Sequence, residues 1–224
     1  MPRRIAPVHW PRALELISRA EHAGLRLSVI SCNSIIAAWG RGELWPEALM
    51  LLRRVERKGL EATTVTYNAA ASACEKGKQW ALVLALVLQM LRVGLELDVI
   101  TCNAGLSAYE KGKEWARALA LLREAQSLFC EPDVVSYSAT VSACEKGARW
   151  PWALGLLDRL GCAGLRPNAF TCNAATSACD KGQEWVHALA CLRLGEVAGL
   201  VRSVITCGAA VSACARGEAW ARAL

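Results

Sequence analysis

Tryptophan recurs at Trp10, Trp45, Trp80, Trp115, Trp150, Trp185 and Trp220, a constant step of 35 residues. Gly42, Gly77, Gly112, Gly147, Gly182 and Gly217 keep the same step. So do Gly24, Gly59, Gly94, Gly164 and Gly199, with Phe129 interrupting the run once. One interval repeated along a chain means copies of a single supersecondary unit. A unit this short cannot bury its own apolar face, so the copies must stack on one another as a solenoid.

Each unit reads as two helices. The first follows a Ser or Thr (Ser31, Thr66, Thr101, Ser136, Thr171, Thr206), residue types that cap helix N-termini, and continues through Ala-rich sequence such as "NAAASAC". It is expected to stop near the glycine before the tryptophan, where a left-handed backbone is easy. The second helix starts around the tryptophan, because Pro11, Pro46 and Pro151 directly follow it and proline is tolerated only in a first turn. Leu49, Leu52 and their equivalents then supply an apolar face at helical spacing. The expected fold is all-α, a right-handed α-solenoid of antiparallel helix-turn-helix repeats. Five full units span 29–63, 64–98, 99–133, 134–168 and 169–203. Residues 1–28 form an N-terminal partial repeat holding only a second helix, and 204–224 a truncated C-terminal one. The apolar pattern runs on to Leu224 without a polar cap, so further sequence or a poorly ordered end is expected there.

With 54% apolar and 21% charged residues, the chain is not mainly disordered. The tryptophans read as packing anchors between helices. Eleven cysteines, an odd number without any CxxC pair or zinc spacing, read as reduced, buried thiols. Cys32, Cys102, Cys172 and Cys207, and seven residues further on Cys74, Cys144, Cys179 and Cys214, mark one core-facing stripe of the first helices. No metal and no cofactor is expected. The most apolar stretch, 81–91, is too short to cross a bilayer and runs into Arg92, so no membrane partner is expected either. The repeat pattern is already running by Trp10, which leaves no visible targeting segment. Either the address lies elsewhere or the chain is a fragment.

Charge enters with a phase of its own. Net charge is only +6, yet a cation precedes every phased glycine: Arg41, Lys76, Lys111, Lys146, Lys181 and Arg216. A helix C-terminus favours a cation, which accounts for any one of these. Six at one position, set in a row by stacking, instead suit a polyanion. The acids beside them (Glu75, Glu110, Glu145, Asp180) are expected to face solvent elsewhere on the helix. Two further positions vary within a narrow set. Two residues after the Ser or Thr stand Asn33, Asn68, Asn103, Ser138, Asn173 and Gly208; the full units close with Thr63, Asp98, Asp133, Asn168 and Ser203. Such side chains suit the reading of base edges. They suit capping and turns equally well.

The unit "TVTYNAAASACEKGKQWALVLALVLQMLRVGLELD" resembles the P-type pentatricopeptide repeat in its opening V-x-T-Y-N block, central K-G and closing G-L-x-x-D. "VVSYSATVSACEKGARWPWALGLLDRLGCAGLRPN", with its closing R-P-N, does so as well. The resemblance implies sequence-specific binding of single-stranded RNA, one nucleotide per unit, on a concave face formed by first helices. It implies that the two variable positions read the base, and that Ile30, Val65, Ile100, Val135, Phe170 and Ile205 sandwich adjacent bases. The phased cations would contact phosphates. By the family's pairing rule, Asn68 with Asp98 and Asn103 with Asp133 read uridine, Ser138 with Asn168 adenosine, and Asn173 with Ser203 cytidine. The implied core site is 5′-U-U-A-C-3′; Asn33 with Thr63 departs from the common pairs, and Gly208 lacks a useful side chain. Most relatives work in a chloroplast or mitochondrion, processing, stabilising or helping to translate transcripts, and the resemblance implies other RNA-processing proteins as partners. Catalysis is not expected: none of His9, His22 and His187 begins a His-x-Glu motif. The competing readings are a helical-repeat scaffold that binds protein and a specificity subunit for an enzyme on another chain.

Overall fold

The computed structural model describes residues 28–42, 44–128, 130–200 and 204–216. The N-terminal half-unit with Trp10, the closing residue Ser203, the side chain of Ile205, and Gly217 and Trp220 lie outside the described residues.

Among the described residues eleven helices follow one another: α1 (Val29–Arg41), α2 (Trp45–Arg57), α3 (Thr64–Lys76), α4 (Trp80–Val93), α5 (Val99–Gly112), α6 (Trp115–Ser127), α7 (Val134–Lys146), α8 (Trp150–Cys162), α9 (Ala169–Lys181), α10 (Trp185–Val197) and α11 (Val204–Arg216). Odd-numbered helices are the first helices of the units and even-numbered ones the second. The all-α solenoid of antiparallel helix pairs expected from the sequence is what forms. Every second helix does begin at the phased tryptophan, with Pro46 and Pro151 in the first turn.

The first helices start earlier than the sequence pattern suggested. The N-caps are Ser28, Thr63, Asp98, Asp133 and Asn168, and the phased Ser or Thr sits three residues further on, inside the first turn. The side chains of Asp98, Asp133 and Asn168 accept from the backbone N–H of Thr101, Ser136 and Thr171 at 2.8, 2.9 and 2.8 Å. Asp133 N–H in turn donates to Ser136 Oγ at 3.2 Å, completing a capping box.

The helix ends correct a second expectation. Gly77, Gly147 and Gly182 keep negative φ, and the left-handed residue is the one after them: Lys78, Ala148 and Gln183, at φ 58°, 53° and 60°. These glycines are needed for space. A Cβ on Gly77 would sit 2.2 Å from Trp45 Cδ1, one on Gly147 2.5 Å from Trp115 Cδ1, and one on Gly182 2.2 Å from Trp150 Cδ1. At these three junctions the tryptophan of one unit lies over the glycine of the next; at Gly112 an added Cβ would meet only Glu114 Cγ, at 3.6 Å. That contact ties the two phases read in the sequence to a single interlock. Left-handed glycine belongs instead to the ends of second helices, as at Gly94 (φ 77°), where Leu95 N–H reaches back to Met90 O at 3.1 Å.

Curvature follows from side-chain size. Successive first helices pack directly on one another, while successive second helices stay further apart and meet through long side chains, as where Gln89 donates to Glu56 at 2.9 Å and Arg159 to Gln126 at 2.7 Å. First helices are rich in Ala, Ser, Thr, Cys and Gly, so their backbones approach closely; Gly40 lies against Ala73, where an added Cβ would be 3.2 Å from Ala73 Cβ. The Leu- and Val-rich second helices are held apart, and the first helices therefore line the inner face. Ile36, Leu51, Leu52, Tyr67, Leu106, Leu122, Leu156 and Leu160 fill the core between the layers. All eleven cysteines are free thiols. Burial pushes Cys74 and Cys172 up to about 11 and Cys102 and Cys144 up to about 12, so they remain protonated core residues.

Candidate nucleic-acid interface

An open groove of about 460 Å³ runs over the inner face, across α3, α5, α7 and α9. Asn68, Asn103, Ser138 and Asn168 line it together with Ile100, Val135 and Phe170. The apolar members of this set are exposed: Ile30, Val65, Ile100, Val135 and Phe170 each keep 53–78% of their surface in water. An exposed apolar side chain on the first turn of each of α1, α3, α5, α7 and α9 has no role in the core. It leaves a row of apolar faces along the inner side, one per unit.

Two of the expected residue pairs touch. Asn68 Nδ2 donates to Asp98 Oδ2 at 2.7 Å, and Asn103 Nδ2 donates to Asp133 Oδ1 at 3.2 Å. Ser138 and Asn168 meet through Thr171, whose Oγ1 lies 2.7 Å from Asn168 Oδ1 and 2.6 Å from Ser138 Oγ. Ser138 also donates to Val134 O at 2.6 Å and is buried, so its hydroxyl presents little to the groove. Asn33 and Thr63 are not joined; Asn33 Oδ1 is buried without a partner among the described residues. Each closing residue is therefore the N-cap of the following first helix and, where it is Asp, the anchor of the preceding asparagine. Capping and contact with the candidate base-facing asparagine thus sit on the same side chain.

The carboxylates gain from this arrangement. Burial opposes ionisation of Asp133, but hydrogen bonds from the Ser136 N–H, the Asn103 amide and the Val135 N–H outweigh it and hold the acid below its ordinary 3.8.

The acidic residues overturn an expectation. Glu75 and Glu110 line the groove itself and do not point away from it. They reach across to the next first helix, where Ser107 Oγ donates to Glu75 and Ser142 Oγ to Glu110, both at 2.9 Å. The cations join the same contacts: Lys146 Nζ lies 2.8 Å from Glu110, Lys181 Nζ 2.5 Å from Glu145 and Arg216 Nη2 3.4 Å from Asp180. Lys111 lies over the Trp80 ring, 4.5 Å from its centroid. Lys76 has no such acid to meet, because Gly40 occupies the corresponding place in α1. Thus half of the phased cations belong to an inter-unit ladder of serine, acid and base. The serines of that ladder, Ser107, Ser142 and Ser177, repeat every 35 residues and are the signal that sequence reasoning missed. Among the described residues, no group of three or more His, Cys, Asp or Glu is placed to hold a metal, and no helix is long and apolar enough to cross a membrane.

The model of the pentatricopeptide repeat domain matches residues 15–76 and 85–146, more than half of the chain. The chain belongs to the pentatricopeptide repeat family. Solved structures agree on the fold. The crystal structure of maize PPR10 is similar over 95% of this chain and 35% of its own, with 19% identity and a TM-score of 0.59. PPR10 in complex with an 18-nt psaJ RNA element gives 23% identity and a TM-score of 0.61 over 89% of this chain and 28% of that one. The PPR domain of Arabidopsis thaliana protein-only RNase P 1, in complex with tRNA, gives 12% identity and a TM-score of 0.62 over 68% and 81%. The chain therefore spans about a third of the length of PPR10. No curated relative matches the sequence.

Proposed function

We propose that this pentatricopeptide repeat chain binds single-stranded RNA along the inner groove, one nucleotide per 35-residue unit, with five full units over 29–203. The observation that carries this reading is the repeated set on the groove wall: a hydrogen-bonding side chain at Asn68, Asn103 and Asn168 beside an exposed apolar one at Ile100, Val135 and Phe170. With one Nδ2 hydrogen committed to Asp98, Asn68 keeps one N–H and one oxygen lone pair for a ligand. A donor beside an acceptor matches the O4 and N3–H of uracil. The reading order is U for 64–98, U for 99–133, A for 134–168 and C for 169–203, giving 5′-U-U-A-C-3′. At the adenosine position Asn168 Nδ2 is the group left to meet the base, since Asn168 Oδ1 is held by Thr171 and Ser138 is enclosed. The base-sandwiching set is Ile30, Val65, Ile100, Val135, Phe170 and Ile205. Lys76 and Lys111 meet no carboxylate among the described residues and serve as phosphate contacts; Lys146, Lys181 and Arg216 exchange an acid for a phosphate when RNA binds. Relatives crystallised with an RNA element and with tRNA support the ligand class. Organellar RNA processing, stabilisation or translation is the setting we infer from family membership.

Fluorescence anisotropy at fixed salt tests this. Oligonucleotides containing U-U-A-C should bind more tightly than scrambled single strands and than duplex RNA. Equal affinity for all three defeats the reading and favours a protein-binding scaffold.

A further inference from the structure

The amide of Asn68 is held at both ends, and the second hold comes from the unit that follows. Asp98 is an acceptor only, so the Asn68 atom 2.7 Å from Asp98 Oδ2 is nitrogen. The Asn68 oxygen then faces Thr101, the third residue of α5, whose hydroxyl donates to it in a short contact. Thr101 Oγ1 has a single proton and also lies 2.7 Å from Asp98 Oδ1. That carboxylate oxygen already accepts the Thr101 backbone N–H at 2.8 Å. Of the two contacts the one to Asn68 is the shorter, and one unit on the matching hydroxyl is 2.5 Å from the asparagine oxygen against 3.1 Å from the carboxylate. The proton therefore belongs to Asn68, and Thr101 is fully enclosed, so no water competes.

The contact repeats one unit on. Ser136 Oγ donates to Asn103 Oδ1 at 2.5 Å, while its distance to Asp133 Oδ1 is 3.1 Å. Thr206 Oγ1 likewise donates to Asn173 Oδ1 at 2.5 Å. Thr171 faces Ser138 Oγ at 2.6 Å, where no amide is available. Asn33 is the counter-example: Thr63 Oγ1 lies 3.2 Å from the Thr66 hydroxyl and Thr63 N–H donates to it at 3.1 Å, and Asn33 Oδ1 has no partner.

Fixing both ends matters because a free asparagine amide is two-faced. Turned over, it exchanges its donor and acceptor and suits cytosine, with its N4–H donor and N3 acceptor, as well as uracil. We propose that Thr101 and Ser136 are positioning residues, holding the amide of the preceding unit in one orientation, so that each unit's choice of uracil over cytosine is completed by the hydroxyl of the next unit. This rests on the base-reading proposal above.

The test uses the full chain, the variants Thr101→Val and Thr101→Ser, and the oligonucleotides U-U-A-C, C-U-A-C and U-C-A-C at one salt concentration. Wild type should prefer U-U-A-C to C-U-A-C. Thr101→Val should lose about fivefold of that ratio, the worth of one buried hydrogen bond, and Thr101→Ser should regain it. The ratio of U-U-A-C to U-C-A-C, read by Asn103, should stay unchanged in both variants. Without RNA, the Asn68 side-chain amide signals in NMR should shift and lose exchange protection in Thr101→Val and recover in Thr101→Ser. A merely structural role would lower affinity for all three oligonucleotides alike, and that result overturns the proposal. So does a Thr101→Val chain that keeps both the base ratio and the Asn68 signals of a discriminating wild type. A wild type that binds U-U-A-C and C-U-A-C equally defeats the base-reading proposal itself and takes this one with it.

Discussion

Replacing Glu110 by Gln should make RNA bind more tightly, although it removes an ion pair. Glu110 lies in the groove with its side chain 14% exposed, 2.8 Å from Lys146 Nζ, whose side chain is 32% exposed. A phosphate that recruits Lys146 must first take it from Glu110, and it also meets the carboxylate's charge. Pairs this exposed are worth roughly 0.2–1 kcal/mol net, because solvent screens them and both side chains lose freedom. Removing the competitor returns that amount to the complex, so affinity should rise about 1.5- to 5-fold near 0.1 M salt. Glutamine keeps an oxygen for the Ser142 hydroxyl, which donates to Glu110 at 2.9 Å, so the helix contact survives. With no carboxylate left to take up a cation when Lys146 moves to phosphate, the slope of log affinity against log salt should steepen by about 0.7, the release of one further counterion on a single strand. Phosphate contacts carry no sequence information, so U-U-A-C and scrambled oligonucleotides should gain equally. Anisotropy titrations at several salt concentrations measure all three quantities. An unchanged affinity and slope in a variant with the wild-type melting temperature would remove Lys146 from the path of the backbone.

Two further outcomes concern stability. Gly147→Ala forces a Cβ to within 2.5 Å of Trp115 Cδ1 and should destabilise by about 1–3 kcal/mol through overpacking. Gly155→Ala, in exposed α8 with nothing within 4 Å of the added carbon, should stabilise by about 0.5–1 kcal/mol; urea unfolding separates the two, and equal effects would defeat the interlock. Asp133 titrates below its ordinary 3.8 in the folded chain, so its contribution is fully present above the unfolded value and is lost as pH falls through the folded one. The stability gap between wild type and Asp133→Asn should therefore be largest near neutral pH and close in the acid limb; a gap constant down to about pH 3 would show that the capping bonds do not depend on the charge.

The period was legible because packing requires it. Trp115 must meet Gly147 and Trp150 must meet Gly182, and a contact between neighbouring copies can recur only if both partners keep phase. The helix pairing, the core cysteines and the proline-marked starts of α2 and α8 followed from the same regularity. What the pattern hid were contacts whose two ends lie in different units. Glu110 looks like a surface acid in its own unit, and only the stacking of α7 on α5 shows that it is enclosed by Ser142 and Lys146. The glycine before the tryptophan was read as a backbone device for the same reason. Its true constraint, the indole of the preceding unit, is some thirty residues away and invisible to local turn rules. The caps were misplaced by three residues because Thr101 and Asp98 are both good capping types, and only geometry shows which side chain receives the N–H.

That last ambiguity bears on recognition. Asp98 caps α5 through Oδ1 and holds Asn68 through Oδ2, so one carboxylate ends a backbone and orients a reader at once. A closing residue chosen only for its effect on the base could be of any polar type. One that must also cap the next helix is confined to Asp, Asn, Ser and Thr, since other side chains forfeit about 1 kcal/mol of helix stability. The described closing residues Thr63, Asp98, Asp133 and Asn168 stay within that set. On the proposed reading, capping and base choice share one side chain, which accounts for the narrowness that left the two level in the sequence. Such a groove would change its base preference only through substitutions that its own helices tolerate.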